Sequence, residues 1–226
     1  MKYYRIDTER DPSITGSKNG VYSVEIKDKY SYLSIEDKKN WENYCSLNRK
    51  ERNRVMFDSY IPIDDSKIKD YIVFFPVGKK VKLLDFMAFA PFEHGIQFLV
   101  SQRIYSIFSK FRLPVHNKVP AKINGFEEPY FLIGFPMLKR DAFDFKHSVF
   151  MDYTNGIKVA FGNAQEYETL NMTGAYIVPQ KIVLKDKLSL DIIETIEGTF
   201  FSSELIKELE KEKITGYKIK EGILEN

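Results

Sequence analysis

Histidine is the side chain best suited to bind a metal or transfer a proton, and this sequence has three widely separated copies. His94, His116 and His147 have no second His or Cys at the spacing of a zinc motif such as H-E-x-x-H or paired C-x-x-C. Dispersed histidines are usually core or surface residues. The sequence therefore predicts no metal site.

The motifs that bind nucleotides or expose a nucleophile are also missing. Gly78-Lys79 resembles the end of a phosphate-binding loop, but that loop needs Gly at position 73 and Ser or Thr at position 80, where the chain has Val73 and Lys80. No G-x-G-x-x-G or G-x-S-x-G occurs. We therefore predict a protein that is not an enzyme and needs no cofactor.

Adjacent acids leave an enzymatic alternative open. Asp64-Asp65 and Glu127-Glu128 lie beside proline or turn residues, where carboxylates are mostly solvated. A general acid–base pair would need burial to adjust its pKa values. The alternative is an enzyme whose His and Asp residues come from separate loops.

The charge pattern argues against nucleic-acid binding. The net charge is +2, from 34 basic and 32 acidic residues that are interleaved, as in Lys27-Asp28-Lys29. The most basic stretch is Arg49–Arg54, which contains Glu51 and spreads round a predicted helix. We interpret it as a solvated face. A regulator that binds nucleic acid through Arg49–Arg54 is the second alternative.

The cysteine and hydropathy patterns indicate a cytoplasmic protein. Cys45 is the single cysteine, so no intrachain disulfide can form, and its helical spacing from Trp41 and Tyr44 predicts burial. The first residues contain no apolar segment typical of a signal peptide. No apolar run approaches the roughly 20 residues that span a bilayer.

Aromatic side chains near turns, with acids among them, are the feature most typical of a protein-binding surface. The alternative for each aromatic residue is a place in the core. The candidate partner-binding residues are Phe92, Glu93, His94, Phe126, Glu127, Glu128, Tyr130, Phe143 and Phe145.

Two strand–Ser–helix units and two hairpins dominate the predicted secondary structure. Asn124-Gly125 and Asn155-Gly156 each separate two strand-like runs, and Asn-Gly favours a type I′ turn. Ser101 is a predicted helix cap after Phe98–Val100. The second unit runs from Phe200-Phe201 through Ser202-Ser203, and Gly216 is its predicted C-cap.

The two units superimpose at a shift of 102 positions, which pairs Phe98 with Phe200 and Ser101 with Ser203. This indicates either a weak internal duplication or two ordinary units with the same cap chemistry. We predict an α+β fold with antiparallel hairpins. Residues 1–80 form an N-terminal region and 81–226 a second region, or both form one continuous domain.

The order of segments resembles bacterial immunity proteins of polymorphic toxin systems, a group often described only as a domain of unknown function. The resemblance rests on Val81–Phe86, on the segment from Phe98 to Tyr130, and on Phe200–Ile219. It covers roughly Val81 to Ile219. Gln102-Arg103 departs from the pattern, because an acid is expected there.

This resemblance implies a non-enzymatic protein that binds and neutralises a cognate toxin, with no cofactor. The matching motifs are fold motifs, since a capped helix and a glycine at a helix end build structure. They do not identify the residues that face the toxin.

Overall fold

The computed structural model describes residues 1–27, 31–32, 34–50, 60, 62–63, 67–68, 70–93 and 95–226, and of residues 46–50 the backbone alone. The predicted helix over Arg49–Asp58 lies almost wholly outside the described residues. The preceding helix begins with a cap at Ser34, because the Asp37 N–H donates to Ser34 Oγ over 3.0 Å.

The chain contains both helices and strands, as predicted. In chain order the elements are β1 (Lys2–Thr8), α1 (Pro12–Thr15), β2 (Val24–Ile26), α2 (Ile35–Lys50), β3 (Ile72–Pro76), β4 (Phe86–Met87), β5 (Phe89–Ala90), β6 (Phe98–Ser101), α3 (Gln102–Phe108), β7 (Asn117–Ile123), β8 (Pro129–Gly134), β9 (Met137–Leu138), β10 (Val149–Asp152), β11 (Ile157–Val159), α4 (Ala164–Met172), β12 (Ile177–Val183), β13 (Ile192–Thr195), β14 (Gly198–Ser202), α5 (Ser203–Lys211) and β15 (Tyr217–Glu225).

The chain divides into two compact units. The central unit contains residues 8–136 and 209–218, and the terminal unit contains residues 1–7, 137–208 and 219–226. This division differs from the predicted boundary at residue 80. Since strands far apart in sequence pair with each other, chain order alone does not define either unit.

Each unit is built on a mixed sheet. The central unit has the strand order β4-β6-β8-β7-β3-β2-β5, with β7 parallel to β3. The sheet of the terminal unit has the order β11-β10-β12-β15-β1-β14-β13-β9, with β12 parallel to β15. The α+β class is confirmed, and both sheets contain parallel as well as antiparallel pairs. None of the described helices is long and apolar enough to cross a membrane.

Both predicted hairpins form, but their turns are wider than type I′. The strand pairs end at Lys122↔Pro129 and at Asp152↔Ile157, so each loop exceeds two residues. A type I′ turn needs positive φ at both central residues. Among the described residues other than glycine, only Lys213 has positive φ, which rules out that turn at either asparagine.

The two strand–Ser–helix units share one capping geometry. Ser101 Oγ accepts the N–H of Ile104 over 3.4 Å, which confirms the predicted cap. Ser202 Oγ accepts the N–H of Leu205 over 3.2 Å. The predicted pairing of Ser101 with Ser203 is therefore wrong by one residue, because Ser203 is already the first residue of α5.

The matched serines also have matched acids. The Ser101 hydroxyl donates to Asp85 Oδ1 over 3.0 Å, and the Ser202 hydroxyl donates to Asp191 Oδ1 over 2.8 Å. In each unit the serine N–H also donates to the carbonyl of the same aspartate over 2.8 Å. The overlay of the two units in the sequence indicated serines at the helix starts but did not indicate these aspartates.

A buried tyrosine completes the repeat. Tyr130 pairs with Ser101 across β6 and β8, and Tyr3 pairs with Ser202 across β14 and β1. The Tyr130 hydroxyl donates to the carbonyl of Leu84 over 2.9 Å, and the Tyr3 hydroxyl donates to the carbonyl of Leu190 over 2.8 Å. Each leucine directly precedes the aspartate of its unit. The same arrangement therefore occurs in both units, and in the terminal unit the first strand of the chain supplies the tyrosine.

Lys213, not the predicted Gly216, reverses the chain after α5. Lys213 has φ 52°, and the N–H of Ile214 donates to the carbonyl of Leu209 over 2.9 Å. The Lys213 N–H donates to the carbonyl of Glu210 over 3.0 Å. This pair of bonds is the Schellman motif.

Candidate partner-binding surface

Three of the predicted partner-binding aromatics are core residues. Tyr130, Phe143 and Phe145 are 0%, 1% and 4% exposed. Tyr130 packs on the core side of β8, and Phe145 stacks on Phe150 at 5.7 Å between ring centroids. These rings offer no surface to a partner, so the structure assigns them to the two cores and corrects the prediction.

Of the predicted residues Phe92, Glu93 and His94, the structure describes the first two, and these differ in exposure. Phe92 is 67% exposed, whereas Glu93 is 3% exposed. His94 lies outside the described residues. Of these two described residues, Phe92 is therefore the one on the surface.

Glu93 lines a cavity of about 490 Å³ in the central unit. The described lining residues are Ile26, Tyr32, Trp41, Glu42, Cys45, Pro91 and Glu93. Cys45 is buried, as predicted. The described lining contains two carboxylates and no histidine.

The other two histidines have separate surroundings. In the central unit, His116 lies between the rings of Tyr105 and Phe135, with centroids 6.2 and 5.8 Å away. In the terminal unit, His147 Nδ1 lies 2.7 Å from Asp144, and the His147 side chain is 73% exposed. The hydrogen bond from His147 lowers the pKa of Asp144. Within the described part of the chain, no group of three His, Cys, Asp or Glu residues could hold a metal ion.

The predicted hairpin tip is exposed. Phe126 is 37% exposed, and Glu127 and Glu128 are exposed beside it. Phe126 lines an open groove together with Pro76, Val77, Gly78, Lys79, Val81, Asn124 and Gly125. Phe126, Glu127 and Glu128 therefore remain candidates for partner binding.

An aromatic contact on the surface of the terminal unit was not predicted. Tyr153 and Tyr176 are 44% and 66% exposed, and their ring centroids are 5.6 Å apart. Ile157, in the strand that follows Tyr153, is 53% exposed. We refer to Tyr153 and Tyr176 as the tyrosine pair.

Hydrogen bonds hold the tyrosine pair in place. The Tyr153 N–H donates to the carbonyl of Tyr176 over 2.9 Å, and the Tyr176 N–H donates to Thr154 Oγ1 over 2.8 Å. The Tyr153 hydroxyl donates to Glu221 over 2.8 Å and accepts from Gln180 over 3.2 Å. The bond to Glu221 raises the pKa of Tyr153, since it stabilises the protonated hydroxyl.

A signal for the tyrosine pair exists in the sequence. Tyr153 lies two residues before Asn155-Gly156, and Tyr176 follows Gly174. An aromatic residue beside a turn is the pattern that also indicated Phe126, and both tyrosines fit it, because β10 ends at Asp152 and β12 begins at Ile177.

The side chains of Arg49–Arg54 and of Asp64-Asp65 lie outside the described residues, as do Asp28 and Lys29 of the interleaved charge run.

No protein-family model matches the chain, and a search of the curated proteins found no match.

Proposed function

We propose that this protein is a non-enzymatic immunity protein that binds a cognate bacterial toxin in the cytoplasm and neutralises it. The observation that carries the proposal is the tyrosine pair. Tyr153 and Tyr176 form an exposed aromatic contact, and the carboxylate of Glu221 accepts a hydrogen bond from the Tyr153 hydroxyl.

Such a surface has the properties of a protein-binding hot spot. Tyrosine buries a large apolar ring and retains a polar hydroxyl, and it has few rotatable bonds to restrict on binding. The hydrogen bonds of Tyr153 and the backbone bonds of Tyr176 fix the loops before a partner arrives. Binding then costs less conformational entropy.

The toxin as partner is supported by the sequence resemblance over roughly Val81 to Ile219. The exposed hairpin tip supports a protein partner as well, because Phe126 is an apolar ring flanked by Glu127 and Glu128. Both surfaces combine aromatic and acidic groups, which suits a partner surface with apolar and basic residues.

The test is co-expression of the chain with the product of the adjacent gene. We expect a stoichiometric complex that buries a standard interface of roughly 1,600 Å² and restores growth of cells that express the toxin. Tyr176→Ala should weaken the complex by about tenfold or more, which corresponds to the loss of one hot-spot side chain.

A matched control is Ile35→Ala, which removes an apolar side chain that is 90% exposed in α2. It should bind like the wild type. A Tyr176→Ala variant that binds and protects as well as the wild type would exclude the tyrosine pair. Failure of the wild type to bind or protect would overturn the proposed function itself.

The predicted hairpin tip is tested separately with Phe126→Ala. A loss of binding comparable to that of Tyr176→Ala would make Phe126 a partner-binding residue. Unchanged binding would exclude Phe126 from the residues that bind the partner.

A further inference from the structure

One face of the central sheet carries lysines that lie against aromatic rings. Along β7 the burial alternates, so that Val119, Ala121 and Ile123 point to the core and Lys118 and Lys122 point to the opposite face. Both lysines are partly buried. We call this surface the lysine face and define it by Lys118, Lys122, Tyr71, Tyr105 and Phe131.

The ammonium groups are held by ring contacts. Lys118 Nζ lies 4.1 Å from the ring centroid of Tyr105 and 4.6 Å from that of Phe131. Lys122 Nζ lies 4.0 Å from the ring centroid of Tyr71. Each cation is therefore positioned by the negative face of an aromatic ring.

Neither ammonium has an anionic partner within the part of the chain that the structure describes. Lys27 differs in having an anionic partner. Its Nζ lies 5.4 Å from the ring centroid of Phe75 and also 3.8 Å from Oε1 of Glu25. Partly buried cations with no counter-charge attract an anion, since aromatic contacts replace only part of the lost hydration.

We propose that the lysine face is a docking site for an acidic surface of a partner protein. Lys118 and Lys122 are four residues apart on one strand, so their charges lie roughly 13 Å apart and match carboxylates spread over a protein surface. The inference goes beyond the proposed function, because it holds whatever partner the tyrosine pair binds.

Carboxylates fit this face better than nucleic acid does. Single-stranded nucleic acid binds such surfaces by stacking its bases on exposed aromatic rings. Here one face of Tyr71, Tyr105 and Phe131 is already occupied by a lysine ammonium. The net charge of the chain, +2, also lacks the basic excess that grips a phosphate backbone.

The test uses a short fluorescein-labelled poly-L-glutamate peptide and the full chain, with binding followed by fluorescence anisotropy at low salt. We expect the peptide to bind the wild type and Lys118→Gln/Lys122→Gln to bind about tenfold more weakly. The matched control is Lys18→Gln/Lys80→Gln, which removes the same charge from exposed positions of the same unit. It should bind the peptide like the wild type.

A charge-preserving variant separates charge from folding. Lys118→Arg/Lys122→Arg should bind the peptide within about twofold of the wild type, because guanidinium also pairs with carboxylates and stacks on rings. Equal losses in the Lys118→Gln/Lys122→Gln variant and in the Lys18→Gln/Lys80→Gln control would overturn the proposal, as would no binding by the wild type. Loss of binding in both the Gln and Arg variants would also overturn it, since the effect would then be one of packing.

Two other occupants are distinguished in the same experiment. An oligo-dT probe that binds more tightly than poly-L-glutamate, and loses binding in the Gln variant, would identify a nucleic-acid site and overturn the proposal. Light scattering of the free protein tests a second copy of the chain. A dimer that dissociates in the Gln variant would make the lysine face a self-association surface instead.

Discussion

The hydroxyl of Ser202 donates a hydrogen bond to the buried carboxylate of Asp191 over 2.8 Å. The same hydroxyl oxygen accepts the N–H of Leu205 at the start of α5. One side chain therefore satisfies a buried acid and caps a helix.

Ser202→Ala should lower the free energy of unfolding by roughly 2 kcal/mol, because it removes a helix cap and a donor to a buried carboxylate. The control is Ser203→Ala, one residue further on, which should cost less than about 0.5 kcal/mol. Urea denaturation measures both. Equal costs would contradict the assignment of the helix cap and of the Asp191 hydrogen bond to Ser202.

Glu194 should make stability fall as pH rises. Burial raises its pKa from 4.5 to about 8, although the hydrogen bond from Thr199 and the charge of Arg5 both oppose the shift. The unfolded chain releases this proton above about pH 4.5, whereas the folded protein keeps it up to about pH 8. The stabilisation is therefore fully present below the unfolded pKa, decreases between the two values and is lost above about pH 8.

Glu194→Gln tests this pH dependence because glutamine can still accept a hydrogen bond from Thr199 but has no proton to lose. The stability of the wild type relative to this variant should fall by a few kcal/mol between about pH 5 and about pH 8. Glu204→Gln, at an exposed acid, should leave the slope of the wild type unchanged. Parallel curves for the wild type and Glu194→Gln would contradict the raised pKa.

Gly216 and Gly125 have almost the same backbone conformation but different surroundings. Their φ values are 87° and 86°, yet a Cβ on Gly216 would lie 2.1 Å from the carbonyl oxygen of Phe86, whereas nothing lies within 4 Å of one on Gly125. Gly125→Ala should cost about 1 kcal/mol of backbone strain. Gly216→Ala should cost roughly 3 kcal/mol, as the clash adds to the strain. Thermal or urea unfolding of the pair checks the difference, and equal costs would show that Phe86 can move away.

Tyr153→Phe should leave the melting temperature close to that of the wild type, because the hydroxyl is on the surface and water can replace its bonds to Glu221 and Gln180. Partner binding should weaken by a few fold, since the loop is then less well ordered. The measurement is calorimetric titration with the toxin. Binding equal to that of the wild type would show that the hydroxyl bonds do not prepare the surface.

The sequence predicted the elements whose signals are local. The Ser101 cap, the α+β class and both Asn-Gly hairpins follow from residues within one turn or one strand of each other, and the structure has all of them. The predicted Gly216 cap is wrong because this glycine serves a contact with a residue far away in the chain. Its positive φ serves the close approach of its backbone to Phe86, and Lys213 takes the left-handed position after the helix.

The candidate surface was predicted only in part. The spacing of Phe126 from Asn124-Gly125 correctly indicated an exposed tip. The same reasoning failed for Phe143 and Phe145, because an aromatic ring beside a turn can point to either side of the chain. Its direction depends on the strands that pack above it, which come from distant segments.

The sequence by itself determined where helices begin, where strands turn and which side chains are apolar, since these depend on local backbone sterics and on hydrophobicity. Only the tertiary structure decided that the first strand completes the sheet of the last segments, where Tyr3 pairs with Ser202. It also decided which charges and rings meet, as in Lys122 with Tyr71 and Tyr153 with Glu221. Contacts between residues far apart in the chain depend on how sheets pair and pack, and no local pattern specifies that.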